Sequence, residues 1–154
     1  MNNLKVCKFG GTSMADGNVI LSAAKIVKAD PARRYVVVSA PGKRFGGDIK
    51  VTDLLYACSD HYESGDKAAF DETFAKICTR FENIEKEIGK ELGIHVALDE
   101  VKEEILSGAG RDYCASRGEY FAAKIMAAVL EVPFVDATKL IRFKPNLRQV
   151  EHSA

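Results

Sequence analysis

The chain has 154 residues, 47% of them hydrophobic and 29% charged, which suits one soluble domain with a real core. Its 22 acidic and 22 basic residues cancel, so no overall positive field draws it to nucleic acid or to an anionic membrane. No apolar run approaches the roughly 20 residues of a membrane helix, and the N-terminal "MNNLKVCKFGG" lacks a signal peptide's apolar core, which places the protein in the cytoplasm.

Residues 4–9, "LKVCKF", alternate and are β-rich, so they form a strand that stops at the turn "GGTS". A helix begins at Asp16 or Gly17, carries Val19, Ile20, Ala23, Ala24, Ile26 and Val27 on its apolar side, and is ended by Pro31. "YVVVSA", 35–40, is a continuous β-branched run of the kind covered on both faces. Strand, helix and strand make a βαβ unit, with parallel strands and a right-handed crossover. The polar, glycine-containing stretch 40–50 reads as a mobile loop. Thr52 is a plausible N-cap for a helix to Glu63, broken by Ser64-Gly65. From Lys67 to Lys90 the residues Phe70, Phe74, Ile77, Phe81, Ile84 and Ile88 recur at helical spacing. Packing on the protein's own core is favoured over a coiled-coil partner. A shorter helix spans 98–106, a buried one 116–131, and a short strand lies near Phe134 to Asp136. The sum is an α/β layer fold with a mostly parallel sheet.

The four cysteines, Cys7, Cys58, Cys78 and Cys114, form no C-x-x-C pair and read as reduced core thiols. His61, His95 and His152 are scattered, which argues against a structural zinc site.

In open α/β sheets, ligands sit at the carboxyl ends of the strands, where the glycine turn and the loop after Ala40 both fall. Glycine lets a backbone approach an anion, and free N–H groups can donate to phosphate oxygens. Lys8 supplies a positive charge beside Gly10 and Gly11, and Thr12 and Ser13 add donors; a plain tight turn with a solvated lysine fits these letters equally well. The P-loop pattern fails, because Val37 stands where its first glycine belongs and Arg44 where Ser or Thr belongs. The G-x-G-x-x-G fingerprint is absent too.

"KFGGTS" after an N-terminal strand resembles the opening motif of the aspartate kinases, in the amino acid kinase family. "VVVSAPGK", "TDLL", "SRGEYFAAKIMAAVL" and "FVDAT" follow in matching order, so the resemblance covers most of residues 4–145. It implies a three-layer αβα sandwich of the amino acid kinase or carbamate kinase type, truncated. Residues 1–146 would be the N-terminal, amino-acid-binding part, and 147–154 an unmatched tail. It also implies the reaction: the side-chain carboxylate of L-aspartate attacks the γ-phosphorus of ATP, giving 4-phospho-L-aspartate on the way to lysine, threonine and methionine. ATP with Mg2+ is then a co-substrate, with no tightly bound protein metal, and the full-length protein is expected to be a homo-oligomer.

By position, Lys8 resembles the family lysine that stabilises the transferring phosphoryl group. Gly10 and Gly11, with Thr12 and Ser13, resemble the phosphate cradle. Ser39 and Thr52 resemble residues of the aspartate pocket, and Glu119 the carboxylate that binds the substrate ammonium. Glu119 has a second reading, because "SRGE" is S-x-x-E before an apolar run and could be a capping box with Ser116; the resemblance favours binding. Arg117 reads as a solvated charge before a substrate ligand, and Lys43 and Arg44 as either phosphate contacts or solvated loop charges. Aspartate kinases are much longer than this chain. The isolated chain is therefore expected to show no measurable kinase activity and to expose a sheet edge. The alternative is a truncated, non-catalytic aspartate-binding or assembly module. A relative acting on glutamate or N-acetylglutamate is disfavoured by "KFGGTS" and "SRGE".

Overall fold

The computed structural model describes residues 3–141. The expected boundary at 146 and the tail 147–154 lie outside them. Strand β1 (Lys5–Phe9) is followed by a 3-10 turn (Gly11–Met14), helix α1 (Gly17–Lys28) and strand β2 (Arg33–Val38). Helices α2 (Val51–Ser64), α3 (Lys67–Ile88), α4 (Ile94–Leu106) and α5 (Gly110–Leu130) complete the core. The two strands pair in parallel, with Val6 opposite Tyr35, Lys8 opposite Val37 and Phe9 opposite Val38, as a βαβ unit requires.

One face of this pair is covered and the other is bare. Phe9 and Val36 pack on the core and Val38 is buried in it. On the opposite face Val6 is 69% exposed, Tyr35 58% and Val37 51%. The β-branched run of β2 suggested cover on both faces; the helices present here supply only one. Among the described residues no third strand joins the pair, and Phe134 to Asp136 run without a strand partner before a 3-10 turn (Ala137–Lys139). Among the described residues, both strands consequently keep a free edge.

Local chemistry explains where the helices start and stop. The Asp16 carboxylate accepts from the Val19 N–H at 2.9 Å, and Glu87 accepts from the Gly17 N–H at 2.6 Å, so two acids hold the first turn of α1. The Asp66 side chain caps α3 by accepting from the Ala69 N–H. Gly65 and Gly89 end α2 and α3 in the left-handed region, with φ of 73° and 67°. Helix α2 begins at Val51 after Lys50, so Thr52 lies inside its first turn and is not the N-cap. Helix α4 starts four residues before the expected position, after Gly93 at φ 64°. Helix α5 starts at Gly110, well before Ser116. All the apolar residues read on α3 are buried, and its Phe81 meets Phe121 of α5 with ring centroids 5.2 Å apart. Among the described residues no helix is long and apolar enough to cross a membrane.

The cysteines are free thiols; Cys58 and Cys114 are buried, Cys7 and Cys78 half-buried. Burial pushes the Cys58 thiol up to about 12 and raises Cys114 as well, so neither supplies thiolate near neutrality. A thiol-specific reagent is expected to leave both unmodified in the native chain and to label them after denaturation. Rapid native labelling of either would contradict this packing.

Candidate functional site

A cavity of about 460 Å³ opens at the carboxyl end of the two strands. Gly11 and Thr12 of the glycine turn, Ser39 and Ala40 just past β2, Pro41, Gly42, Lys43 and Lys50 of the next loop, Thr52 of α2 and Glu119 of α5 line it. Three segments far apart in sequence, 11–12, 39–52 and 119, thus converge on one space. They can do so because small residues meet there. A Cβ on Gly42 would lie 2.6 Å from the Gly11 carbonyl carbon and 2.9 Å from the Thr12 nitrogen. The Gly42 N–H donates to the Gly11 carbonyl at 2.8 Å, locking the two turns together. A Cβ on Gly118 would lie 2.6 Å from the Ala40 Cβ, so the absence of a side chain lets α5 bring Glu119 to the cavity.

The loop over residues 40–50, expected to be mobile, is anchored from below. Asp48 is buried and receives three charged hydrogen bonds from side chains: Nε and Nη2 of Arg44, at 2.8 and 2.9 Å, and Nη2 of Arg80 at 2.6 Å. The Arg44 bonds hold the Asp48 carboxyl far below the ordinary carboxylate range, with the Arg80 charge acting the same way against the cost of burial. Burial pulls the Arg80 guanidinium down, and the charge of Arg44 adds to that, while Asp48 pulls it up. A guanidinium starts so high that it stays charged.

Of the residues singled out from the sequence, the structure brings Gly11, Thr12, Ser39, Thr52 and Glu119 to the cavity wall. Lys8, Gly10 and Ser13 are not among its lining residues. Lys8 is exposed on the bare face of β1, opposite Val37 and two residues before Gly10. The capping-box reading of Glu119 is overturned: α5 begins at Gly110, and Ser116 uses its hydroxyl to donate to the Tyr113 carbonyl and to accept from Arg117. Glu119 is therefore an exposed carboxylate in the body of a helix, away from that helix's positive end. Arg117 does not line this cavity, and it is not simply solvated. It stacks between Tyr113 and Tyr120, 4.5 and 4.7 Å from the ring centres, beside a separate cavity of about 400 Å³ between α4 and α5. Lys43 lines the cavity, whereas Arg44 is taken up by Asp48.

Three important residues carry little signal in the sequence. Lys50 is masked by an apparent helix start at Thr52. Asp48 is one polar residue among several in its loop. Arg80 is 4% exposed on the apolar side of α3, three residues after Ile77 and four before Ile84, and that spacing is its available signal.

The sequence profile of the amino acid kinase family matches residues 3–152. The chain is 56% identical to aspartokinase 3 of Bacillus subtilis over 59 residues, which are 38% of this chain and 13% of that protein. Lysine-sensitive aspartokinase 3 of Escherichia coli is 28% identical across 98% of this chain and 35% of its own length. Among solved structures, the aspartate kinase of Clostridium acetobutylicum superposes with a TM-score of 0.82 at 43% identity, covering 86% of this chain and 30% of that one. E. coli aspartokinase III, solved with aspartate and ADP, gives 0.66 at 25% identity, covering 83% of this chain and 29% of that one. The chain spans at most 35% of the length of these relatives. Its helix-rich layer on a small parallel sheet corresponds to part of their αβα fold.

Proposed function

Because the chain belongs to the amino acid kinase family, we propose that it carries the amino-acid-binding part of an aspartate kinase, working in the cytoplasm. The observation that carries this reading is the charge pattern of the cavity. Its wall holds two ammonium groups, Lys43 and Lys50, and one carboxylate, Glu119. L-Aspartate presents the reverse set, two carboxylates and one ammonium. Glu119 would take the substrate ammonium, the lysines its carboxylates, and the hydroxyls of Ser39 and Thr52 the remaining lone pairs.

The chemistry asks little else of the protein. A side-chain carboxylate ordinarily titrates at about 4 and is already ionised at neutral pH, so attack on the γ-phosphorus of ATP requires no general base. The oxygen–phosphorus bond to the carboxylate forms as the bond to the ADP leaving group breaks, giving 4-phospho-L-aspartate. The barrier is repulsion between anions, met by alignment and positive charge. Gly11 and Thr12 would face the phosphates of ATP, which enters with Mg2+ as co-substrate, and the Lys8 amine would approach from the strand end.

Calorimetry of the 154-residue chain with L-aspartate tests the reading. Binding is expected, weakened by about tenfold or more in Glu119→Gln. Glutamate sets the same charges one methylene further apart and is expected to bind less well. An unaltered affinity in Glu119→Gln would sink the assignment. Since the chain amounts to 30% of the related kinase chain, the polypeptide alone is expected to give no turnover with ATP, Mg2+ and aspartate. Phosphate transfer in that assay would instead make it a self-sufficient enzyme.

A further inference from the structure

We propose that Arg80 is a positioning residue for the cavity, setting from beneath the loop on which Lys43 and Lys50 meet the ligand. This rests on the reading of the cavity as an aspartate site. Arg80 projects from the middle of α3 and is 4% exposed. Its Nη1 donates to the Gly42 carbonyl at 2.9 Å and to the Ala15 carbonyl at 3.4 Å. Its Nη2 donates to Asp48 Oδ2 at 2.6 Å and to the Ile49 carbonyl at 3.1 Å.

The acceptors have a pattern. Gly42 immediately precedes Lys43, and Ile49 immediately precedes Lys50. Each lysine of the cavity wall therefore leaves the backbone next to a carbonyl that this one guanidinium holds. Ala15 follows the glycine turn, and Gly42 is bonded through its N–H to Gly11, so the same group also fixes the loop against that turn. A rigid planar fork can serve four acceptors spread over both ends of a loop; an ammonium on a flexible stem cannot hold them in that geometry. Neither Arg80 nor Asp48 lines the cavity, so both act through the lysines.

The test is an NMR titration of the 15N-labelled chain with L-aspartate, read at the amides of Gly11, Gly42 and Thr52 below each variant's melting temperature. The wild type is expected to saturate. Arg80→Lys, which keeps the charge and loses the fork, is expected to bind about tenfold or more weakly. Leu98→Ala removes a buried side chain on α4, which contributes nothing to the cavity wall, and is expected to bind like the wild type despite its lower stability. Should Arg80→Lys fail to fold, Asp48→Asn replaces it, with the same loss expected. Wild-type affinity in the Arg80 or Asp48 variant, or an equal loss in Leu98→Ala, overturns the positioning role and leaves the aspartate reading standing. A wild-type chain whose amides ignore aspartate overturns both.

Discussion

Replacing Arg80 with alanine is expected to cost about 3–5 kcal/mol of stability, the range for stripping one partner from a buried ion pair. The carbonyls of Gly42 and Ile49 lose a donor, and Asp48 is left buried with Arg44 alone. Against a domain stability of about 5–15 kcal/mol, such a loss brings the chain close to unfolding at ambient temperature. Denaturant melts measure it directly, and a loss below about 1 kcal/mol would mean that the pair does not hold the loop. Acid gives the same interaction a second signature. The Asp48 carboxyl is depressed in the folded chain, so its contribution is fully present above the unfolded carboxylate value of about 3.9. It is lost as pH falls from there toward the lower folded value. Wild-type stability should drop through that window, and Asp48→Asn, which has already given up the charge, should drop less steeply.

Gly42→Ala is expected to have the second large effect, and on the cavity itself. The added methyl would stand 2.6 and 2.8 Å from the carbonyl carbon and oxygen of Gly11, and 2.9 Å from the Thr12 nitrogen. All three are backbone atoms, so no side chain can swing aside; the two turns must part. Overpacking of this kind costs about 1–3 kcal/mol. Parting the turns also lengthens the bond from Gly42 to Gly11, so aspartate affinity should fall with stability. Gly10→Ala is the internal comparison. Nothing lies within 4 Å of its would-be Cβ, and its φ of −79° suits any residue. It should change stability by less than about 0.5 kcal/mol. Equal losses in the two variants would show that the pair of glycines acts through chain flexibility and not through contact.

That contrast also shows what the sequence leaves illegible. The letters Gly10-Gly11 look interchangeable, yet the second alone is pressed against Ala40 and Gly42, a neighbour 31 residues away that no local pattern reveals. The elements set by periodicity were legible: β1, α1 and the whole apolar side of α3. Helix ends that depend on capping alternatives were not. Ser116 offered a convincing start for α5, but the helix runs back to Gly110 because Cys114 and Gly118 already share its buried side with Phe121. The strand expected near Phe134 pairs with neither free edge among the described residues, so no local pattern could confirm it. Within the site, Ser39, Thr52 and Glu119 came from resemblance to a family and met at one cavity. Lys50 and Arg80 carry charges on segments whose roles only the packing defines.

The bare face of the strand pair has a practical bearing on any study of Lys8. Its neighbours there are Val6, Tyr35 and Val37, so one amine is the sole formal charge in that oily cluster of four. Charges so placed keep sheets from sticking to one another. Swapping this lysine for methionine would thus remove the proposed phosphate contact and a solubilising device in a single stroke, and a precipitate would masquerade as lost chemistry. Arginine, which preserves the charge but alters its shape, separates the two.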